Sequence, residues 1–384
     1  RLDGILQGEY HAEDGGDLRN YGIPQGIKEA RRLFAEFLDT TAENTYVAGA
    51  SSLTLMYQLL EFELNFGSSG TSWRDDCGTN QTVTFLCPVP GYDRHFAICE
   101  HLGIDMFPID MTDAGPDMDQ VETAVQNNPN IKGIWCVPRF SNPTGTVYSD
   151  DTVARLAALP HLAGRGFRII WDNAYAVHPL YPNAPELSSL PAQCRALGSE
   201  DGAWLIGSTS KITHAGSGVA FTASSRANTD AFMKHLSFQS IGPDKLNQRR
   251  QVLFLKDMDG VKEHMKRHAA LLRPRFEVVQ TTLNDHLRDT GMATWSRPMG
   301  GYFVSVDTRP GLAREIVRLA AEAGVKLTPA GASFPYGQDP FDRNIRLAPS
   351  FPNVEELETT MAAFVTCVKL ASLRQEFSRR HPGE

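Results

Sequence analysis

The sequence predicts an α/β protein, with a mostly parallel central sheet carrying helices on both faces and a smaller α+β domain attached. Three observations predict it. Short apolar runs recur at residues 83–87, 131–137, 167–171, 203–206 and 219–223. Helix-like stretches at 118–125 and 151–159 separate the earlier runs, and alternation of this kind marks a parallel sheet with helical crossovers. The last two runs lie too close for a crossover, so that pair is expected to be antiparallel.

Each element follows from local pattern. Residues 27–38 place Ile27, Ala30, Leu33, Phe34, Phe37 and Leu38 on one helical face. A second amphipathic helix starts near Ser51 and carries Leu53, Met56, Leu59 and Leu60. Residues 243–287 are helical and charged. Beyond them come a strand at 301–306, a helix at 312–323, a strand at 345–348 and a closing helix at 354–370. The expected organisation is an N-terminal segment, 1–44, packed with the small domain and a dimer partner, then a large domain, 45–285, and a small α+β domain, 286–384.

Composition narrows the function. The 384 residues include 41% hydrophobic and 21% charged side chains, ordinary for a globular chain that buries its own core. A formal net charge of -8 argues against nucleic acid or an anionic membrane surface as partner. No apolar run reaches the roughly 18 residues of a membrane span. The six cysteines form no C-x-x-C pair, so no zinc, other metal or redox site is expected, and a reducing, cytosolic compartment is.

Chemistry concentrates where the apolar runs end. The run at 203–206 leads into Gly207-Ser208-Thr209-Ser210-Lys211, and the run at 167–171 into Asp172-Asn173-Ala174-Tyr175. A lysine able to form a Schiff base and an acid able to hold a pyridine nitrogen protonated are parts for pyridoxal phosphate chemistry. The plain alternatives are a solvated Ser-rich loop, an Asp helix cap and a core Tyr. Gly49-Ala50-Ser51-Ser52 opens a helix, whose free amides and hydroxyls suit a phosphate, or Ser51 is a simple N-cap. Tyr92, after Pro90-Gly91, could stack on a flat ring or fill a turn. Asn142, in Ser141-Asn142-Pro143-Thr144-Gly145, lies beyond a strand end, where open parallel sheets bind ligands, or in a Pro-Gly turn. Arg346 sits between apolar neighbours in a strand and needs an anion, either a substrate carboxylate or an internal acid.

In this order the motifs resemble the fold-type I pyridoxal phosphate-dependent aminotransferases along the whole chain. Leu18-Arg19-Asn20-Tyr21-Gly22, Ser210-Lys211-Ile212-Thr213, residues 241–248 and Ile345-Arg346-Leu347-Ala348-Pro349-Ser350 are most similar to the aspartate aminotransferase subgroup called type Ic. The resemblance implies a PLP-transferase fold and a homodimer with shared active sites. It implies amino transfer from L-aspartate or glutamate to a 2-oxo acid such as 2-oxoglutarate. It casts Lys211 as the Schiff-base lysine, Asp172 as partner of the ring nitrogen, and Tyr175 and Asn142 as partners of the ring oxygen. Tyr92 would stack on the ring and His95 support Asp172 from behind. Ser51, Ser52 and Ser208 would face the phosphate, joined by Tyr21 from the neighbouring subunit. Arg346, with Asn142, would hold the substrate α-carboxylate, and Arg19 and Lys245 are candidates for the distal one. One departure stands out: where the family carries a phosphate-binding Arg, eight residues after the lysine, this chain has Val219, and His214 is a possible substitute cation. Two rival readings remain at this point: an aminotransferase of other specificity or another PLP-dependent lyase, and a non-catalytic PLP-binding sensor.

Overall fold

The computed structural model describes residues 4–79 and 81–381. Eight strands form the large sheet: β1 (Thr45–Val47), β2 (Thr84–Val89), β3 (Asp105–Thr112), β4 (Gly115–Pro116), β5 (Ile131–Cys136), β6 (Arg168–Asp172), β7 (Ala203–Ser208) and β8 (Ala220–Ala223). Their order is β1-β8-β7-β6-β5-β2-β3-β4. The central neighbours are parallel, and β8 runs antiparallel to β7 as its short connection requires. A second sheet holds β9 (Ala293–Trp295), β10 (Val304–Thr308) and β11 (Asn344–Leu347), all antiparallel.

The helices are α1 (Lys28–Phe37), α2 (Ser52–Asn65), α3 (Trp73–Cys77), α4 (Asp93–Leu102), α5 (Met118–Asn127), α6 (Asp150–Leu162), α7 (Leu190–Leu197), α8 (Arg226–Leu236), α9 (Lys245–Leu255), α10 (Met258–Leu287), α11 (Ala313–Glu322) and α12 (Val354–Arg380). Helices α1, α5 and α6 cover one face of the large sheet and α2, α4 and α8 the other. Side chains alternate along a strand, and the two cores divide accordingly. Ile134, Ile169, Trp171 and Leu205 join the core beneath α1, α5 and α6. Trp135, Ile170, Trp204 and Ile206 join the core beneath α2, α4 and α8. Arg168 shares the second face and is buried there against Glu63 of α2, 3.0 Å away, which also accepts from Trp204 Nε1 at 2.9 Å.

The structure departs from the sequence reading in three places. The strand expected at 301–306 begins only at Val304, because Gly300 and Gly301 press against Phe140, where a Cβ would stand within 3 Å of that residue. The closing helix runs ten residues further than expected, to Arg380. The N-terminal helix lies on the large sheet instead of the small domain: Phe34 stacks on Phe221 with ring centres 4.2 Å apart, and Glu29 meets Arg249 of α9 at 3.6 Å. Its apolar stripe fills the large core, while the small core is built from α10, α11, α12 and the three-stranded sheet.

Candidate active site

The sheet's own periodicity aims Asp172. Counting by twos from Ile170, the last residue of β6 turns to the face covered by α4. His95, one turn into α4, lies there, its Nε2 3.2 Å from Asp172 Oδ2. Both side chains are almost completely buried, and the imidazole lies flat on Trp135, ring centres 4.1 Å apart and planes 6° from parallel. The other oxygen, Oδ1, accepts from the Ala174 amide at 3.1 Å. Tyr92, which precedes α4, sets its ring edge-on to His95 at 5.0 Å. Burial, then the Asp172 and Asp93 carboxylates, push its phenol up to about 12.

Lys211 follows β7 in the next strand-end loop. Its Nζ rests 4.8 Å from the centre of the Tyr175 ring. Burial holds the ammonium below its usual range, and the Asp172 charge opposes that shift without cancelling it. Tyr175 is itself buried, and desolvation with the Asp172 charge keeps its phenol protonated well beyond the ordinary tyrosine range. The backbone of the lysine is clamped. Its carbonyl accepts from Tyr302 Oη at 3.0 Å and from His178 Nε2 at 3.1 Å, and the next carbonyl, of Ile212, accepts from His264 Nε2 at 2.8 Å. Burial pushes the His178 imidazole down to about 3, so it is neutral and donates from Nε2, leaving Nδ1 buried without a protein partner among the described residues.

Arg346 arrives from the small domain. Strand alternation sends Ile345 and Leu347 into the small core and Arg346 to the opposite side, over the Phe303 ring at 5.0 Å. Its Nη1 donates to Asn142 Oδ1 at 3.2 Å and to Asp93 Oδ1 at 3.0 Å, and its Nη2 lies 3.5 Å from Thr328 Oγ1. Its Nε is buried with no partner among the described residues.

The mouth of α2 lies beside the Lys211 loop. The Ala220 amide donates to the Gly49 carbonyl at 2.7 Å, and Ser210 Oγ donates to Ala50 O at 3.0 Å. Ser51 acts as the N-cap, accepting from the Thr54 amide at 3.4 Å, and Ser52 begins the helix. Ser208 is buried at the end of β7.

The whole chain has relatives of known kind. Residues 2–380 match the family model described as aspartate amino-transferase. The chain belongs to the aspartate aminotransferase family. It is 44% identical over 368 residues to an aspartate aminotransferase of Corynebacterium glutamicum, covering 95% of this chain and 84% of that protein. The crystal structure of an aspartate transaminase from Corynebacterium glutamicum superimposes with a TM-score of 0.91 at 42% identity, covering 97% of this chain and 88% of that one. An α-aminoadipate aminotransferase from Thermus thermophilus shares the fold, with a TM-score of 0.79 at 21% identity over 97% of this chain and 87% of that one.

Membership in this aminotransferase family implies pyridoxal phosphate, and the residues present fit it. A buried acid, a half-buried amine over an aromatic ring and a helix N-terminus with hydroxyls match a cationic ring, an aldehyde and a phosphate respectively. Asp172, His95, Tyr92, Tyr175, Asn142, Lys211 and Arg346 converge at the strand ends.

Other expected residues lie elsewhere. Val219 is buried, its amide bonded to Thr209 Oγ1 at 2.9 Å, and His214 is exposed. Arg19 is exposed and forked onto Asp17 at 2.9 and 2.8 Å, so within one chain it stays outside this cluster. Tyr21 is 86% exposed. Lys245 is buried at the start of α9, whose Asn247 bonds the Gly218 carbonyl at 2.8 Å. Sequence reasoning missed Asp93, His178 and Tyr302. Only the Gly300-Gly301 pair ahead of Tyr302 signalled a close approach, and Asp93 looks like an ordinary acid in a first helical turn.

Proposed function

We propose that this chain is a pyridoxal 5'-phosphate-dependent aminotransferase working by a ping-pong cycle, with L-aspartate or glutamate as donor and a 2-oxo acid such as 2-oxoglutarate as acceptor. One observation carries the reading: Lys211, its ammonium held below the usual range by burial, packs 4.8 Å from the Tyr175 ring within the field of the buried Asp172, while Arg346 bonds Asn142 at 3.2 Å. When bound, the cofactor supplies an aldehyde that links covalently to amines and a ring that withdraws electrons from the substrate α-carbon.

The protein does the rest. Asp172 holds a proton at the ring nitrogen, and His95, locked on Trp135, holds Asp172. Tyr175, which stays protonated, would donate to the ring oxygen with Asn142 beside it, and Tyr92 would cover the ring face. Lys211, with its ammonium destabilised by burial, is free base more often than a surface lysine. It would therefore serve as the base that removes the substrate α-proton and as the acid that returns it. The α2 amides with Ser51, Ser52 and Ser208 would hold the phosphate without the arginine that Val219 replaces. Arg346 grips the α-carboxylate, and Arg19 and Lys245 are the candidates to read the distal one. A homodimer in the cytosol goes with this reading. Tyr21, 86% exposed, supports the shared site, in which it would reach the partner's phosphate.

The purified protein should show a visible absorbance band that shifts on adding aspartate or glutamate. Borohydride should bleach the band and leave the label on Lys211 in peptide maps. A label on another lysine, or none, would remove the assignment.

A further inference from the structure

Arg346 carries an acid of the chain's own on one arm of its guanidinium. Its Nη1 donates to Asp93 at 3.0 Å as well as to Asn142 at 3.2 Å, so both hydrogens of that nitrogen are spent. The pair spans two bodies of the fold: Arg346 belongs to β11 of the small domain, Asp93 to the first turn of α4 on the large sheet. The two ends differ in freedom. The arginine side chain is 11% exposed and the aspartate 30%. Asp93 also has a second partner waiting, since Arg94 Nε lies 3.9 Å from its Oδ2.

A carboxylate arriving at this guanidinium has two ways in. It displaces Asp93 from Nη1 and uses the two outer nitrogens, or it binds along the edge formed by Nη2 and the unpartnered Nε with Asp93 still in place. The first way breaks an existing charge-assisted bond. The second sets two carboxylates against one cation. Either way the resident acid opposes the incoming one.

We infer that Asp93 is a competing internal carboxylate that lowers the affinity of this site for every α-carboxylate ligand. The inference rests on Arg346 being the α-carboxylate anchor. Its consequence is kinetic. A cycle of two half-reactions must release an acid product after each, and the same anchor holds substrates and products. Binding that is equal in ground and transition states lowers KM without speeding chemistry. Asp93 removes some of that binding and re-covers Arg346 as each product leaves.

The test uses succinate, which has carboxylates but no amino or oxo group, titrated calorimetrically into the cofactor-loaded enzyme. Asp93→Asn should tighten succinate by about 2- to 5-fold, the scale of a partly exposed ion pair. Glu100→Gln makes the same charge change on the exposed side of α4 and should leave succinate binding unaltered. Arg346→Lys should weaken it. Unchanged or weaker binding in Asp93→Asn, with Arg346→Lys impaired, overturns the role of Asp93 and makes it a brace for the arginine. Equal tightening in Glu100→Gln overturns it too, because net charge then suffices. Normal succinate binding in Arg346→Lys overturns the anchor reading itself, and this inference with it.

Discussion

Asp172 and Tyr21 mark the two extremes of the candidate site. Asp172 is 2% exposed, bonded through one oxygen to His95 and through the other to a backbone amide, and carried by a strand with neighbours on both sides. Tyr21 is 86% exposed on a turn, and Gly22 behind it packs on Gly242, close to exposed Phe238 and Ile241. The first kind of residue is positioned by the fold of one chain. The second kind presents apolar surface to solvent, and in the proposed homodimer a second surface would position it. A single chain thus builds the end of the site proposed to handle protons, and the proposed homodimer would add Tyr21 to it.

Substitution on the strand-end side should have the largest effect, and should not depend on the donor. Asp172→Ala should bind the cofactor yet lose turnover by about 3–4 kcal/mol in kcat/KM, the scale of a removed preorganised charge. Arg346→Lys should lose roughly 2–5 kcal/mol, because a point charge cannot copy the guanidinium fork. Both should fall alike on aspartate, glutamate, alanine and phenylalanine. Arg19→Ala and Lys245→Ala should instead weaken the two dicarboxylates and spare the other two. Equal losses across the four donors in both of those variants would show that neither residue reads the side chain.

The exposed side is broken differently. An inactive Tyr21 variant mixed with an inactive Lys211 variant should regain part of its activity once subunits exchange, because one site of each mixed pair is intact. Proven exchange without recovery would put Tyr21 outside the partner's site.

The smallest effect concerns the clamp on Lys211. His178 has a folded pKa near 3 against 6.5 for the free side chain, so the unfolded chain binds its proton more readily. It therefore costs no stability above about pH 6.5 and progressively more as pH falls towards 3. His178→Asn keeps a donor for the Lys211 carbonyl but cannot titrate. Its melting temperature relative to the parent should rise steadily between pH 6.5 and 4.5. A difference that stays flat across that range would mean that His178 is not buried neutral.

The same division explains what was legible in the sequence. The strands β5, β6 and β7 are buried on both faces and spell themselves out as apolar runs, so Asp172 and Lys211 could be read as strand-end residues. Strand β3 lies near the sheet edge with residues such as Phe107 and Asp110 turned outward and Pro108 within it, and no run marks it. Asp93, His178 and Tyr302 escaped for another reason. Their partners are Arg346 and the Lys211 carbonyl, 253, 33 and 91 residues away, and nothing local encodes such a meeting. Arg19 was read from its motif, and within one chain that motif closes on its own Asp17.

Helix α10 sets the terms on which the two domains can move. Its first turns, through Met265, belong to the large core, and from Leu272 onward the same rod belongs to the small one. Thirty residues make it about 45 Å long. Pro274, just past the change of core, has no amide hydrogen for the carbonyl of Ala270, so the backbone ladder has a gap beside the crossing point. Any turning of the small domain would therefore flex one continuous helix and not rotate about a loop. Tyr302 and Arg346 lie on the small-domain side and touch the large side at the Lys211 carbonyl and at Asn142, so such a flexure would be felt first at the lysine's backbone and at the carboxylate anchor.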